Sequence, residues 1–223
     1  MMMVRSRIPG GQLTADDLLA ELDMCDEFGN GTLRITSRQG LQLHGVLKDD
    51  LKPTIQAINE KTTLTTLGAC GDVNRNVMCC PAPIRGNAVH DQMQELSQQI
   101  AHHFRPHTTA YQEIWLQDSE GEKEKVAEFS PVEEPIYGEC YLPRKFKIGI
   151  ALPEDNCVDI QTYDLGLLVI VENEEIVGYN VYVGGGQGVT PAAKKTYAAV
   201  GLKMTFVPAD KVISVTEAII RCW

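Results

Sequence analysis

The sequence predicts an α+β protein, on three observations. Residues 1–60 alternate strand and helix signals in the order β-α-β-β-α. Residues 145–186 are dominated by strand signals. Hydrophobic residues make up 43% of the chain and charged residues 22%, which suits a folded protein with a core of its own.

The elements follow in order. "MMVRSRI" reads as a strand that stops at Pro9-Gly10-Gly11. Thr14 is placed to cap a helix, and Asp17 three residues on closes a capping box. Leu18, Leu19, Leu22 and Cys25 supply that helix with an apolar stripe, and Gly29-Asn30-Gly31 ends it. Two strands follow at 33–36 and 40–46. A second helix starts near Asp50, with Pro53 tolerated in its first turn and Leu51, Ile55 and Ile58 turned inward. Residues 68–87, "GACGDVNRNVMCCPAPIRGN", are rich in Gly, Pro and Asn and read as a long functional loop. A helix at about 90–104 and a strand at 111–116 come next. Residues 117–135 are acidic and read as a linker or exposed excursion. "KFKIGIAL", "DLGLLVIVE" and "EIVGYNVYVGGG" are strands, the last two joined through the hairpin signal Asn173-Glu174. A helix from about 209 runs to Trp223 with Ile219, Ile220 and Cys222 apolar and no stop signal, which predicts a piece of a longer chain.

The net charge is −10, which argues against a nucleic-acid partner, because a phosphate backbone needs a basic surface. No apolar run approaches the roughly 18 residues that span a bilayer, and "MMMVRSRIPGG" has no apolar stretch or cleavage signal of a secretory leader. A cytoplasmic protein without a membrane partner is expected. The seven cysteines include no C-x-x-C and read as buried, reduced thiols rather than as a metal site.

Against the acidic background, four basic or amide-rich stretches stand out. They are Arg5-Ser-Arg7, the set Arg34, Arg38, Gln42 and His44, the run Asn74-Arg75-Asn76, and Arg144-Lys145-Phe146-Lys147. The set at 34–44 has spacings of two and four, so on a strand its members share a face. Residues 28–48 contain no carboxylate, so local ion pairs cannot account for these cations. Basic clusters converging from separate segments suit a ligand with many carboxylates, since arginine matches carboxylate as a fork and lysine serves as a point charge. Gly184 to Gly188 lacks the Lys-Ser/Thr of a phosphate loop and reads as a tight turn.

Four stretches taken together, "LRITSRQGLQLHGV", "GACGDVNRNV", "EPIYGECYLPRKFK" and "NVYVGGGQG", resemble the sulfite/nitrite reductase haemoprotein family in order and spacing. The likeness covers nearly the whole chain and is nearest to the ferredoxin-dependent sulfite reductases. It implies a ferredoxin-like half-domain over 1–116, the acidic stretch 117–135, and over 136–223 the truncated start of a mixed α/β sirohaem- and 4Fe-4S-binding domain. It implies sulfite as substrate, reduced to sulfide by six electrons at a sirohaem coupled to a 4Fe-4S cluster, with ferredoxin as donor. By the same resemblance, Arg34, Arg38, Gln42, His44 and Asn74 contact the sirohaem, and Arg5, Arg75, Lys145 and Lys147 hold the substrate anion. Related nitrite reductases tend to carry asparagine where this chain has Lys147, and a second cation suits a dianion better than nitrite. The family's cluster ligands, Cys-x5-Cys and Cys-x3-Cys, are absent here, and Cys70, Cys79 and Cys80 do not fit that pattern. The chain is thus expected to be inactive without a missing C-terminal half. A ferredoxin-nitrite reductase and a non-catalytic tetrapyrrole-binding half-module are the alternatives.

Overall fold

The structure is a computed structural model that describes residues 1–107, 133–189, 192 and 194–223, together with the backbone of 113–117 and 123–128. It is α+β, as predicted. The first unit packs strands β1 (Met2–Ser6), β2 (Leu33–Ile35) and β3 (Leu41–Val46) against helices α1 (Ala15–Phe28) and α2 (Leu51–Lys61). The sheet is antiparallel in the order β1-β3-β2. Val4, Leu43 and Leu33 stand in register on the side that faces the helices, and Met24, Cys25, Ala57 and Ile58 close the core. Alternation then puts Arg5, Gln42 and Arg34, also in register, on the opposite side.

Helix α1 has the predicted capping box: the Asp17 amide donates to Thr14 Oγ1, and Asp17 accepts from the Thr14 amide. Its buried face differs from the predicted one. Leu18, Leu19 and Leu22 are 40%, 59% and 43% exposed, while Asp17, Glu21, Met24 and Cys25 are buried. The two carboxyls turn inward because each finds partners there. Asp17 accepts from the Thr63 amide at 2.7 Å, and Ser6 Oγ on β1 donates to Glu21.

Burial pushes the Glu21 carboxyl above its ordinary range, and Asp17 adds to this while Ser6 opposes it. As pH rises, the unfolded chain loses this proton first, so stability falls between the ordinary glutamate range and the raised one. Glu21→Gln keeps a group that can bond Ser6 and removes the charge. The variant is expected to gain roughly 1–3 kcal/mol at pH 8 and to match the parent near pH 4. Denaturant melts at the two pH values check this; equal stability at pH 8 would refute it.

The second unit is built on helix α3 (Ala88–His103) and the sheet of β6 (Ile148–Ala151), β7 (Leu165–Glu172), β8 (Glu175–Val183) and β9 (Leu202–Pro208). Strands β6 and β7 are parallel and the other pairs antiparallel, in the order β6-β7-β8-β9. Met93, Ile100 and Phe104 pack with Ile148, Leu165 and Val181 as the main core, closed by helix α4 (Val212–Cys222) through Val212 and Ile220. The β7–β8 turn is the predicted hairpin, with Asn173 and Glu174 at φ 52° and 66° as a primed turn requires. At Gly185 a Cβ would lie 2.3 Å from the Gln161 carbonyl, so the predicted tight turn admits no side chain there. Strand β9 is an edge the sequence reading left unassigned.

Strands β4 (Glu113–Gln117) and β5 (Lys123–Glu128) pair antiparallel. Part of the acidic stretch read as a linker or exposed excursion is a regular strand, while its residues 118–122 and 129–132 lie outside the described ones. No helix among the described residues is long and apolar enough to cross a membrane.

Candidate functional site

The predicted loop 68–87 includes an extended run that binds the two units together. Residues 73–78 pair in parallel with 146–150, at Asn74 with Phe146 and at Met78 with Gly149. The Arg75 amide donates to Phe146 O at 2.9 Å, and the Met78 amide donates to Ile148 O at 3.0 Å. This pairing carries Arg75 beside the Arg144-Lys145-Phe146-Lys147 stretch, where Phe146 is fully buried and the cations on either side of it are not.

The first sheet supplies the other wall. Arg34, Gln42 and Arg5 form a row across β2, β3 and β1, with His44 one step along β3. Turning the Gln42 amide so that its oxygen meets a donor lets Arg5 Nε donate to it at 2.9 Å while its nitrogen donates to His44 Nε2 at 3.1 Å. Arg5 also donates to the Ala69 carbonyl at 3.3 Å and lies 2.8 Å from Cys70 Sγ.

Arg38 departs from the predicted strand face. It sits in the turn between β2 and β3, and its side chain crosses to the second unit. Nη2 donates to Asn76 O at 2.6 Å and to Ile148 O at 3.3 Å, and the guanidinium lies 4.6 Å from the Tyr163 ring centroid. Asn76 Nδ2 returns a bond to Arg38 O at 2.8 Å and donates to Ile8 O at 2.6 Å. Burial lowers the Arg38 pKa to about 10 without discharging it.

Arg5, Arg38 and Arg75 line one cavity of about 130 Å³, together with Asn76 and the 36–40 turn. Water occupies about 30 Å³ per molecule in the liquid, so this niche seats a small oxyanion or the carboxylate arm of a larger ligand, not a macrocycle. Arg144, Lys145 and Lys147 stand within electrostatic reach of the three arginines. Burial lowers the pKa of both lysines. For Lys145 the arginines at 75, 144 and 5 act in the same direction; for Lys147, Arg38 leads. Asp164 opposes this and accepts from the Lys147 amide at 2.8 Å. The arrangement thus concentrates cations that an anion would relieve, and it makes the two Nζ atoms readier proton donors than ordinary lysines.

Asn74 is fully buried, and neither side-chain amide atom has a partner. Arg38 Nε and Nη1 are likewise unpaired. Buried polar groups are seldom left so, and these suit a polar ligand inserted at this seam. Arg34 is exposed at the rim of the row. Tyr163 and Asp164 are further members that the sequence reading did not single out; only their position next to β6 and β7 in the fold shows them. Asn76 belongs to the run Asn74-Arg75-Asn76 that the sequence reading did single out. Cys25, Cys79 and Cys80 are buried as expected, but Cys70, Cys140, Cys157 and Cys222 are exposed. A 4Fe-4S cluster takes four thiolates, and among the described residues no such set converges.

Comparison with known proteins adds six findings. Residues 1–61 match the family model described as nitrite/sulfite reductase ferredoxin-like half domain. Residues 70–223 match the nitrite and sulphite reductase 4Fe-4S domain. The chain is 47% identical over 219 residues to the sulfite reductase (NADPH) hemoprotein beta-component of Staphylococcus saprophyticus, covering 98% of this chain and 37% of that protein. It is 49% identical over 220 residues to the protein of the same name from Geobacillus kaustophilus, again covering 37% of it. In fold it is similar to the Mycobacterium tuberculosis NirA protein, at TM-score 0.69 and 23% identity over 98% of this chain and 33% of that one. It is also similar to dissimilatory sulfite reductase I, at TM-score 0.63 and 15% identity over 97% and 61%.

Proposed function

The chain belongs to the nitrite and sulfite reductase family, and from that premise we propose that it is the N-terminal part of a sulfite reductase. The chain spans about 37% of the length of the curated bacterial relatives it matches. In this reading the remainder supplies the 4Fe-4S ligands, which the described residues do not provide. The observation that carries the proposal is the convergence of Arg5, Arg38, Arg75, Arg144, Lys145 and Lys147 from four segments of an acidic chain.

Sirohaem fits this seam through the unpaired Asn74 amide and Arg38 nitrogens and through the Arg34–Gln42–Arg5 row with His44, which present donors suited to its carboxylates. When bound, it would, with the cluster, pass to the substrate the six electrons that an external donor delivers for the conversion to sulfide. The residues of this chain do the rest. Arg5, Arg75, Lys145 and Lys147 hold the oxyanion, orient it and offset its charge. Nζ of Lys145 and Lys147 pass on protons, regained from solvent between transfers, as the three oxygens of sulfite leave as water. The doubled lysine favours sulfite over nitrite.

For the donor, the motif resemblance points to ferredoxin, and the names of the relatives favour electrons drawn from NADPH. The test is the full-length protein, made with a sirohaem supply. It is expected to show tetrapyrrole and cluster absorbance and to release sulfide from sulfite with a chemical reductant. Ferredoxin and an NADPH-linked donor chain are then compared as substitutes for that reductant. Tetrapyrrole absorbance without sulfide release would favour a binding module, and absence of both would refute the reading.

A further inference from the structure

The parallel pairing of 73–78 with 146–150 has two ends. One carries Arg75, Lys145 and Lys147. At the other, the chain runs on into Cys79-Cys80 and into the loop after β6, where Asp155 and Cys157 return to meet it. Cys80 Sγ, a carboxylate oxygen of Asp155 and Cys157 Sγ all lie within 4.8 Å of one another.

We propose that Cys80, Asp155 and Cys157 form a binding site for a soft divalent cation of zinc's class. Two thiolates and a carboxylate are a ligand set that zinc takes. Around one zinc ion such atoms stand roughly 3.5–3.8 Å apart, so a contraction of about 1 Å completes the site. Cys157 is exposed, which leaves a fourth position to water.

Both sides of the site are already held. The Cys80 carbonyl accepts from Gln94 Nε2 at 2.8 Å and lies 3.2 Å from His90 Nε2, and the Cys79 carbonyl accepts from Gln39 Nε2 at 2.6 Å. On the loop, the Cys157 amide donates to Asp155 Oδ1 at 3.3 Å, and Asn156 Oδ1 accepts from the Ile160 amide at 3.0 Å. The ion would clip 79–80 to the loop after β6 and brace the same two segments that carry the cationic cluster. Zinc binds the thiolate forms, so binding must displace the thiol protons and tightens as pH rises.

Cobalt reports on such a site, since thiolate-to-cobalt charge transfer absorbs in the near ultraviolet. The full chain, reduced and stripped with chelator, is titrated with Co²⁺ alone and then with Zn²⁺. One equivalent of cobalt is expected to develop the band, and zinc to erase it. Cys157→Ser is expected to abolish the band and Asp155→Asn to weaken binding at least tenfold, while the exposed Cys140→Ser leaves both unchanged. A band that survives Cys157→Ser, or no band at one equivalent, would overturn the site. So would a Cys80–Cys157 disulfide that forms in air as readily with zinc present as without it.

Discussion

Arg38→Ala is expected to lower the melting temperature by roughly 4–8 °C and to leave the full-length protein without most of its tetrapyrrole. The guanidinium serves two carbonyls from different units, at Asn76 and Ile148, and stacks on Tyr163. Its removal leaves those carbonyls without this donor, a loss of about 2 kcal/mol, and each kilocalorie moves the midpoint of a chain this size by about 2–4 °C. Arg34→Ala is the contrast. Arg34 is exposed at the rim of the row it forms with Gln42 and Arg5, so its loss is expected to reduce tetrapyrrole occupancy with the midpoint unmoved. Thermal melts and the ratio of tetrapyrrole to protein absorbance separate the two. An unchanged midpoint in Arg38→Ala would mean that the stitch between the units carries no weight.

Lys147→Asn in the full-length protein is expected to reduce kcat/KM for sulfite roughly 10²–10³-fold, the usual effect of removing one preorganised donor to an oxyanion, and to raise the nitrite-to-sulfite ratio. Nitrite carries one charge and loses less when a cation goes. The pH profile gives a second reading. Burial and Arg38 hold the Lys147 pKa below the ordinary lysine range. Anion binding needs the protonated Nζ, so kcat/KM for sulfite is expected to decline as pH rises through that lowered pKa. The asparagine variant lacks this part of the decline. An unchanged ratio for the two anions would sink the assignment.

Much of this was legible in the sequence, because its signals were local. The capping box at Thr14, the primed turn at Asn173-Glu174 and the shared face of Arg34, Gln42 and His44 depend on neighbours within a few positions. The failures were of another kind. The stripe of Leu18, Leu19 and Leu22 was misread because Asp17 and Glu21 hold the inner face, secured by Thr63 and Ser6. Arg38 left the predicted face because its partners, Asn76, Ile148 and Tyr163, are far along the chain. The group of Cys80, Asp155 and Cys157 was invisible for the same reason. Periodicity records which way a side chain points, not what it meets.

The run at 73–78 also bears on where this chain can be cut. The two family segments, 1–61 and 70–223, invite division between them. Yet Asn76 on the second segment bonds Ile8 and Arg38 on the first, and Arg7 on the first donates to Ala101 and Arg75 on the second, with only 3% of its surface exposed. A cut in the gap would leave a buried guanidinium and several carbonyls facing water on both fragments. The two family segments thus share a buried polar seam, and a half expressed alone starts with that seam turned outward.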